Sequence, residues 1–105
     1  MEKEQIKDIL IRARKRISNR ENWAQNAIAK DKNEKEVEAK SSEAVSWSIY
    51  GAICIESAVE DTKEVLFFLE KFLVKNGKRI PLYKFNNSFS HEEVIKLFNK
   101  AIEAI

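Results

Sequence analysis

The stretch AVSWSIYGAICIE, residues 44–56, decides the fold that the sequence predicts. Apolar and small side chains occupy almost every helical position within it, and only a narrow polar strip interrupts them. A helix that is apolar nearly all round is normally buried. We therefore predict a buried central helix over residues 43–58, with one of the two preceding serines as its N-cap.

Gly51 lies in the middle of this predicted helix, where glycine costs about 1 kcal/mol relative to alanine. Ala44, Gly51 and Ala58 recur every seven residues, about two helical turns, on one side of the helix. Small side chains in such a row allow a neighbouring helix to approach closely. We predict that Gly51 serves packing, and that Gly51→Leu overpacks the crossing and costs about 1–3 kcal/mol or more.

Two helices are predicted before the central one. Apolar residues at three- to four-residue spacing place the first over residues 3–18. Their stripe consists of Ile6, Ile9, Leu10, Ala13 and Ile17. A shorter second helix is predicted over residues 21–30. The charged stretch KDKNEKEVEAKSS that follows is interpreted as an exposed linker or as a solvated extension of that helix.

Two more helices are predicted after the central one. A capping box of Asp61 with Glu64 begins the first of them, and Asn76-Gly77 ends it. Because proline disfavours helix around itself, residues 78–88 are predicted to run extended over the bundle. The last helix begins with the capping box SHEE at residues 90–93.

Length and composition narrow the class of protein. A chain of 105 residues makes a single domain, residues 1–105. Two glycines and one proline favour helices, so the predicted fold is an all-α bundle of about five helices. The net charge of +2 is far from that of a dedicated nucleic-acid binder. A single cysteine and the lack of a signal sequence or an apolar span predict a soluble cytoplasmic protein with no membrane segment.

Three blocks of sequence carry a family resemblance: WAQNAIAKD (residues 23–31), AVSWSIYGAI (44–53) and YKFNNSFSHEEVIKLFNKAI (83–102). Together they resemble DUF6197, a family of unknown function from bacteria and their phages. Ser48 stands where the family pattern often has Cys, and Asn87 replaces the usual Asp. The resemblance implies no established activity, so it informs the fold more than the function.

No arrangement of residues indicates catalysis. His91 is the only histidine and Cys54 the only cysteine, and neither has partners at a spacing typical of a metal site or a catalytic pair. We interpret His91 as an exposed first-turn residue and Cys54 as a small buried hydrophobe. The prediction is a protein that is not an enzyme and that uses no metal or cofactor.

Aromatic and amide side chains are the best candidates for ligand contacts. The candidate ligand-binding residues are Trp23, Asp31, Trp47, Tyr50, Asn86 and Asn87. The aromatic rings in this set would stack on a base or a nucleotide-like ligand, and the asparagine amides would orient that ligand. The alternative is structural, with the tryptophans anchoring the core and the asparagines closing a turn.

Two groups of basic residues are candidates for contacts with anions. The first has Arg12, Lys15 and Arg16 on its solvent side, and the second consists of Lys75, Lys78, Arg79 and Lys84. Both lie near predicted helix C-termini, where positive charge complements the helix dipole, so solvated faces are the alternative. Nucleic acid is not the expected partner.

We expect a small helical binding or interaction module without catalytic activity. Its apolar residues exceed what a five-helix monomer needs, which predicts self-association or a protein partner. The residues in excess are Phe67, Phe72, Leu73, Ile80, Leu82, Tyr83 and Phe85. The alternative is the binding of a small, nucleotide-like anion by the aromatic and asparagine cluster. The resemblance to a family found in phages implies one such role, the sequestering of a signalling nucleotide or the blocking of a host defence protein.

Overall fold

The computed structural model describes residues 1–105 as five α-helices and five two-residue strands. The helices are α1 (Lys3–Arg16), α2 (Ile49–Glu56), α3 (Val59–Glu70), α4 (Leu82–Ser88) and α5 (His91–Glu103). The strands are β1 (Ala29–Lys30), β2 (Glu36–Val37), β3 (Ser46–Trp47), β4 (Val74–Lys75) and β5 (Lys78–Arg79). A 3-10 turn, Arg20–Asn22, follows α1.

The all-α prediction is wrong, because the chain forms two small antiparallel sheets as well as its helices. Three strands make the first sheet in the order β2-β1-β3, with Ala29 opposite both Val37 and Trp47. The second sheet is the β4–β5 hairpin. The protein is therefore a mixed α/β fold, in which 54% of the residues are helical.

The predicted helix over residues 21–30 does not form, because this stretch contains the end of the 3-10 turn, an irregular segment and then β1. The charged stretch, residues 30–42, is neither a linker nor a helical tail. It contains the end of β1, the hairpin loop 31–35, strand β2 and the start of the connection to β3. Asp31 closes this loop, because its Oδ1 accepts hydrogen bonds from the backbone N–H groups of Asn33 at 2.8 Å and Lys35 at 3.0 Å. Glu34 turns the chain with a positive φ of 62°.

The central helix is shorter than predicted. Residues 43–58 contain strand β3 and then α2, which begins only at Ile49. Ser48 is the N-cap of α2, and its Oγ accepts a hydrogen bond from the Gly51 N–H at 3.0 Å. An unbroken run of apolar and small residues has no periodicity to separate a buried strand from a buried helix. The shortened helix still lies centrally, in contact with α1, α3 and α4.

Gly51 does allow a close approach, although its neighbour is not a helix. A Cβ atom at position 51 would lie 2.2 Å from the backbone carbonyl oxygen of Ile28, in the segment just before β1. The same oxygen accepts hydrogen bonds from the backbone N–H of Ser48 at 3.0 Å and from its Oγ at 3.1 Å. The predicted crossing of two helices at this position is therefore wrong.

Asn76-Gly77 is a hairpin turn and not the end of a helix. Both residues have positive φ, 55° and 76°, as the two central positions of a type I′ turn require. The preceding helix α3 ends earlier, at Glu70, and it begins at Val59, so the predicted capping box of Asp61 with Glu64 is not its start.

The extended segment predicted over residues 78–88 is wrong for most of its length, because Leu82–Ser88 is helix α4. Pro81 stands at the N-cap of this helix with an extended ψ of 141°. Proline is tolerated at a helix start because its missing N–H has no intrahelical partner there.

The first and last helices agree with prediction. The α1 stripe of Ile6, Ile9, Leu10, Ala13 and Ile17 is buried. At the start of α5 the Ser90 Oγ accepts from the Glu93 N–H at 3.2 Å, and the Glu93 carboxylate accepts from the Ser90 N–H at 3.3 Å.

Of the apolar residues predicted to be in excess of a core, three are buried and only Phe67 and Tyr83 are exposed. The three buried ones are Leu73, Leu82 and Phe85.

Candidate functional site

Asn86 is a buried residue of α4 at the base of the candidate site. Its Oδ1 accepts hydrogen bonds from the Trp23 indole Nε1 at 2.8 Å and from the Ile49 backbone N–H at 3.0 Å. Its Nδ2 donates to the Ala24 carbonyl at 3.0 Å and to Asn87 Oδ1 at 3.1 Å. These bonds fill both the acceptor and the donor capacity of the amide. Asn86 therefore ties three segments of the chain together, and its hydrogen-bonding groups are already used.

Asn87 extends this network towards the surface. Its Oδ1 also accepts from the backbone N–H of Asn26 at 2.7 Å, where the chain turns with a positive φ of 62°. Both hydrogen bonds use the oxygen alone, so an Asp at position 87 would make the same contacts. Asn87 thus fills this structural role without a charge.

A groove of about 250 Å³ opens beside the network, between α2, α4 and the segment before β1. The side chains that shape it include Ile28, Glu36, Tyr50, Leu82 and Tyr83. Tyr50 and Tyr83 are 44% and 72% exposed, and Ile28 is exposed as well. Three large apolar side chains therefore lie partly in solvent around one concave surface, which we call the tyrosine groove.

The charge of the tyrosine groove comes from Glu36, the only charged residue in its lining. The Glu36 carboxylate accepts a hydrogen bond from the Ile28 backbone N–H at 3.3 Å, which holds it at the rim. Interaction with the Cys54 side chain, one turn along α2, raises the pKa of the Tyr50 hydroxyl above its usual value. Tyr50 is therefore a neutral hydrogen-bonding group at neutral pH, in the same groove lining as the Glu36 carboxylate.

The two tryptophans do not line the groove. Trp23 is buried, donates to Asn86 and lies with its ring centroid 5.5 Å from that of His91. Trp47 is buried in β3, where its indole Nε1 donates to the Ala39 carbonyl at 2.9 Å. The guanidinium of Arg16 lies 4.6 Å from the centre of the Trp47 ring. Both rings are therefore committed to contacts within the fold.

Of the six candidate ligand residues, the structure brings only Tyr50, Asn86 and Asn87 to the groove. Asp31 lies in the β1–β2 loop and uses its carboxylate to close that turn. Sequence reasoning missed the roles of Glu36 and Ile28, and it treated Tyr83 only as an excess apolar residue. Nothing local marks these three residues, because strand pairing and the position of α4 decide their exposure.

His91 and Cys54 have structural surroundings. His91 is partly buried, not exposed as predicted, and its Nε2 lies 2.7 Å from the Ile17 carbonyl oxygen. Burial raises the pKa of the Cys54 thiol, which leaves little thiolate at neutral pH. No group of three or more His, Cys, Asp or Glu side chains is placed to hold a metal ion.

The first basic group is partly neutralised by acidic residues. Arg12 and Arg16 pair with the carboxylate of Glu56, at 3.3 Å and 2.7 Å, and Arg12 also pairs with Asp8. Lys15 lines the same surface depression beside them. These ion pairs join α1 to the end of α2, so this group has a structural role.

The second basic group converges on one cleft. Its four cations line a depression of about 440 Å³ between the β4–β5 hairpin and α4, and none of them forms an ion pair. We call this the basic cleft, and its cations are Lys75, Lys78, Arg79 and Lys84.

Fold and site together define a small mixed α/β protein that carries a tyrosine-lined groove and a separate basic cleft. The chain belongs to DUF6197, a family of unknown function, which it matches over residues 1–104. Comparison with curated proteins and with solved structures gave no significant match. None of the helices has the length and apolar character needed to cross a membrane.

Proposed function

We propose that this protein is a non-catalytic binding module that takes a short segment of a protein partner into the tyrosine groove. The observation that supports this proposal is the exposure of Tyr50 and Tyr83 around one concave surface. Tyrosine offers a large apolar face and a hydrogen-bonding tip at low entropic cost, and it is enriched among the residues that dominate binding energy. The buried hydrogen-bond network around Asn86 forms the floor of the groove and keeps its shape in the absence of a partner.

The size of the groove favours side chains of a partner over a whole small molecule. Its volume of about 250 Å³ is below the range of roughly 300–1,000 Å³ typical of small-molecule pockets. One or two side chains fill such a space. A loop or terminal segment of a partner is thus a better fit than a nucleotide.

The charge of the groove favours an apolar side chain next to a cation. Glu36 is the only charged lining residue, and it would repel a phosphate. A lysine or arginine could pair with Glu36 and lie against a tyrosine ring. The nucleotide-like alternative has less support, because both tryptophan rings are buried and no cation lines the groove.

The surroundings of the two reactive side chains support a non-catalytic role. The His91 ring nitrogen is engaged with a backbone carbonyl, and burial raises the pKa of the Cys54 thiol. The pKa of Tyr50, which interacts with Cys54, is raised as well, so its protonated hydroxyl does not activate the thiol as a base. Neither side chain lines the tyrosine groove.

A peptide-display selection against the full chain tests the proposal. We expect the selected peptides to pair an aromatic or aliphatic residue with a nearby Lys or Arg. Tyr83→Ala removes an exposed ring that makes no side-chain hydrogen bond in the structure, so it should leave the fold intact and weaken binding by about tenfold. Glu36→Gln should weaken binding by about threefold, and only for peptides that keep the cation.

Phe67→Ala is the matched control, because Phe67 is an aromatic residue 53% exposed on α3 and away from the groove. Its binding should equal that of the wild type. The proposal fails if no peptide is selected, or if Tyr83→Ala and Phe67→Ala bind the selected peptides equally well. Sedimentation equilibrium distinguishes a different protein partner from self-association. In self-association a second copy of the chain fills the groove, and Tyr83→Ala dissociates a dimer.

A further inference from the structure

We propose that the basic cleft is a second binding site, for a ligand carrying two or more phosphate groups, which it recognises by charge and not by a base. This site is separate from the tyrosine groove, and the two lie on different flanks of α4. Tyr83 and Asn87 face the groove, whereas Lys84 and Ser88 face the cleft.

The cations of the cleft come from two elements that the fold holds together. Lys75, Lys78 and Arg79 lie on the β4–β5 hairpin, and Lys84 lies on α4 across the depression. The type I′ turn at Asn76-Gly77 sets the hairpin register, in which Lys75 is opposite Lys78. Like charges directly opposite on paired strands destabilise a hairpin. An anion bound between them would relieve that repulsion.

No carboxylate balances these cations. The cleft is lined by neither Asp nor Glu, and its four basic side chains are absent from the ion pairs of the structure. The contrast with the first basic group is direct, since Arg12 and Arg16 there share Glu56. Asn76 and Ser88 add polar groups to the lining of the cleft. Such a set of free donors suits the several oxygens of a polyphosphate.

The aromatic residue of the cleft does not offer a platform for a base. Phe89 has the Lys75 ammonium 5.6 Å from its ring centre, and its ring lies 4.4 Å from that of Phe85. Because these neighbours cover the Phe89 ring, little of its face is free for a nucleobase to stack on. Recognition should therefore depend on the number of phosphates and not on the base.

The test is isothermal titration calorimetry of the full chain with sodium tripolyphosphate, ATP and a thymidine oligonucleotide of about 12 nucleotides. We expect tripolyphosphate and ATP to bind within about threefold of each other, and both to weaken as NaCl rises from about 50 to about 200 mM. Tighter binding of the oligonucleotide would assign the phosphates to a nucleic-acid backbone, and tighter binding of tripolyphosphate and ATP would assign them to a small molecule.

Lys78→Gln/Arg79→Gln removes two cations at exposed hairpin positions and should weaken binding by about tenfold. Lys84→Gln lies outside the hairpin and should weaken binding by about threefold. This variant tests the cleft independently if the hairpin variant folds poorly. Lys3→Gln/Lys63→Gln is the matched control, because it removes the same charge from exposed helical positions elsewhere. The proposal is overturned if the wild type binds none of the three probes, or if the control weakens binding as much as the hairpin variant does.

Discussion

For the replacement of Gly51 with alanine, helix propensity and the tertiary structure predict changes in stability of opposite sign. Intrinsic helix propensity predicts that Gly51→Ala stabilises α2 by about 1 kcal/mol. The structure predicts the reverse, because the new Cβ would lie 2.2 Å from the Ile28 carbonyl oxygen. Contacts of this kind begin only at about 3.0 Å, so the two backbones must separate by about 0.8 Å.

The magnitude follows from what that separation disturbs. The Ile28 carbonyl oxygen accepts the Ser48 N–H at 3.0 Å and the Ser48 Oγ at 3.1 Å. Loss or weakening of both hydrogen bonds costs about 1–3 kcal/mol, and strain in the packed surroundings adds about 1–3 kcal/mol. After the gain in propensity, the free energy of unfolding should fall by about 2 kcal/mol or more. That is a large share of the 5–15 kcal/mol typical of a domain.

Urea unfolding followed by tryptophan fluorescence measures this change, since both tryptophans are buried in the folded state. We expect a lower midpoint with an unchanged m-value, and a melting temperature lower by about 10 °C. Gly77→Ala is the comparison: it has open space around it and a positive φ of 76°, so it should cost only about 1 kcal/mol. If Gly51→Ala were as stable as the wild type, the close approach of Ile28 to α2 would be refuted.

Two further predictions concern the asparagine network and the cysteine. Asn86→Asp keeps the acceptor for Trp23 but loses the donor to the Ala24 carbonyl, so it should lower the free energy of unfolding by about 2–4 kcal/mol. Asn87→Asp, whose contacts need only an oxygen, should change it by less than about 1 kcal/mol, and equal losses in urea titrations would contradict the assigned roles. The raised pKa of Cys54 means less thiolate at each pH, so iodoacetamide should modify the folded chain more slowly than the urea-unfolded chain at about pH 8. Equal rates would show that the thiol is not protected.

Local patterns located the first and last helices because their evidence lies within a few residues. The α1 stripe and the Ser90–Glu93 capping box need only neighbours three or four positions away, and both are present in the fold. The same kind of evidence failed at Asn76-Gly77, which suits a helix end and a hairpin turn equally well by its left-handed φ. At Pro81, the proline that suggested an extended segment begins a helix.

The candidate site was predictable only in part. The sequence indicated Tyr50, Asn86 and Asn87 by residue type, and these three do meet at the groove. It could not show that Asn86 is fully hydrogen-bonded and buried, or that Tyr83 completes the groove from the other side. The Asn86 hydrogen bonds join residues about 60 positions apart, and the groove brings Tyr83 to residues of α2 and of the segment before β1.

The amino-acid sequence by itself determined the family, the two terminal helices with their buried stripes, and the presence of a buried segment around Gly51. Tertiary structure alone decided that part of this segment is a strand, which backbone meets Gly51, and which tyrosines remain in solvent. The physical reason is the distance along the chain over which each kind of element makes its hydrogen bonds. A helix makes its hydrogen bonds with residues four positions away, whereas strand β3 exists only because the distant strand β1 supplies its hydrogen bonds.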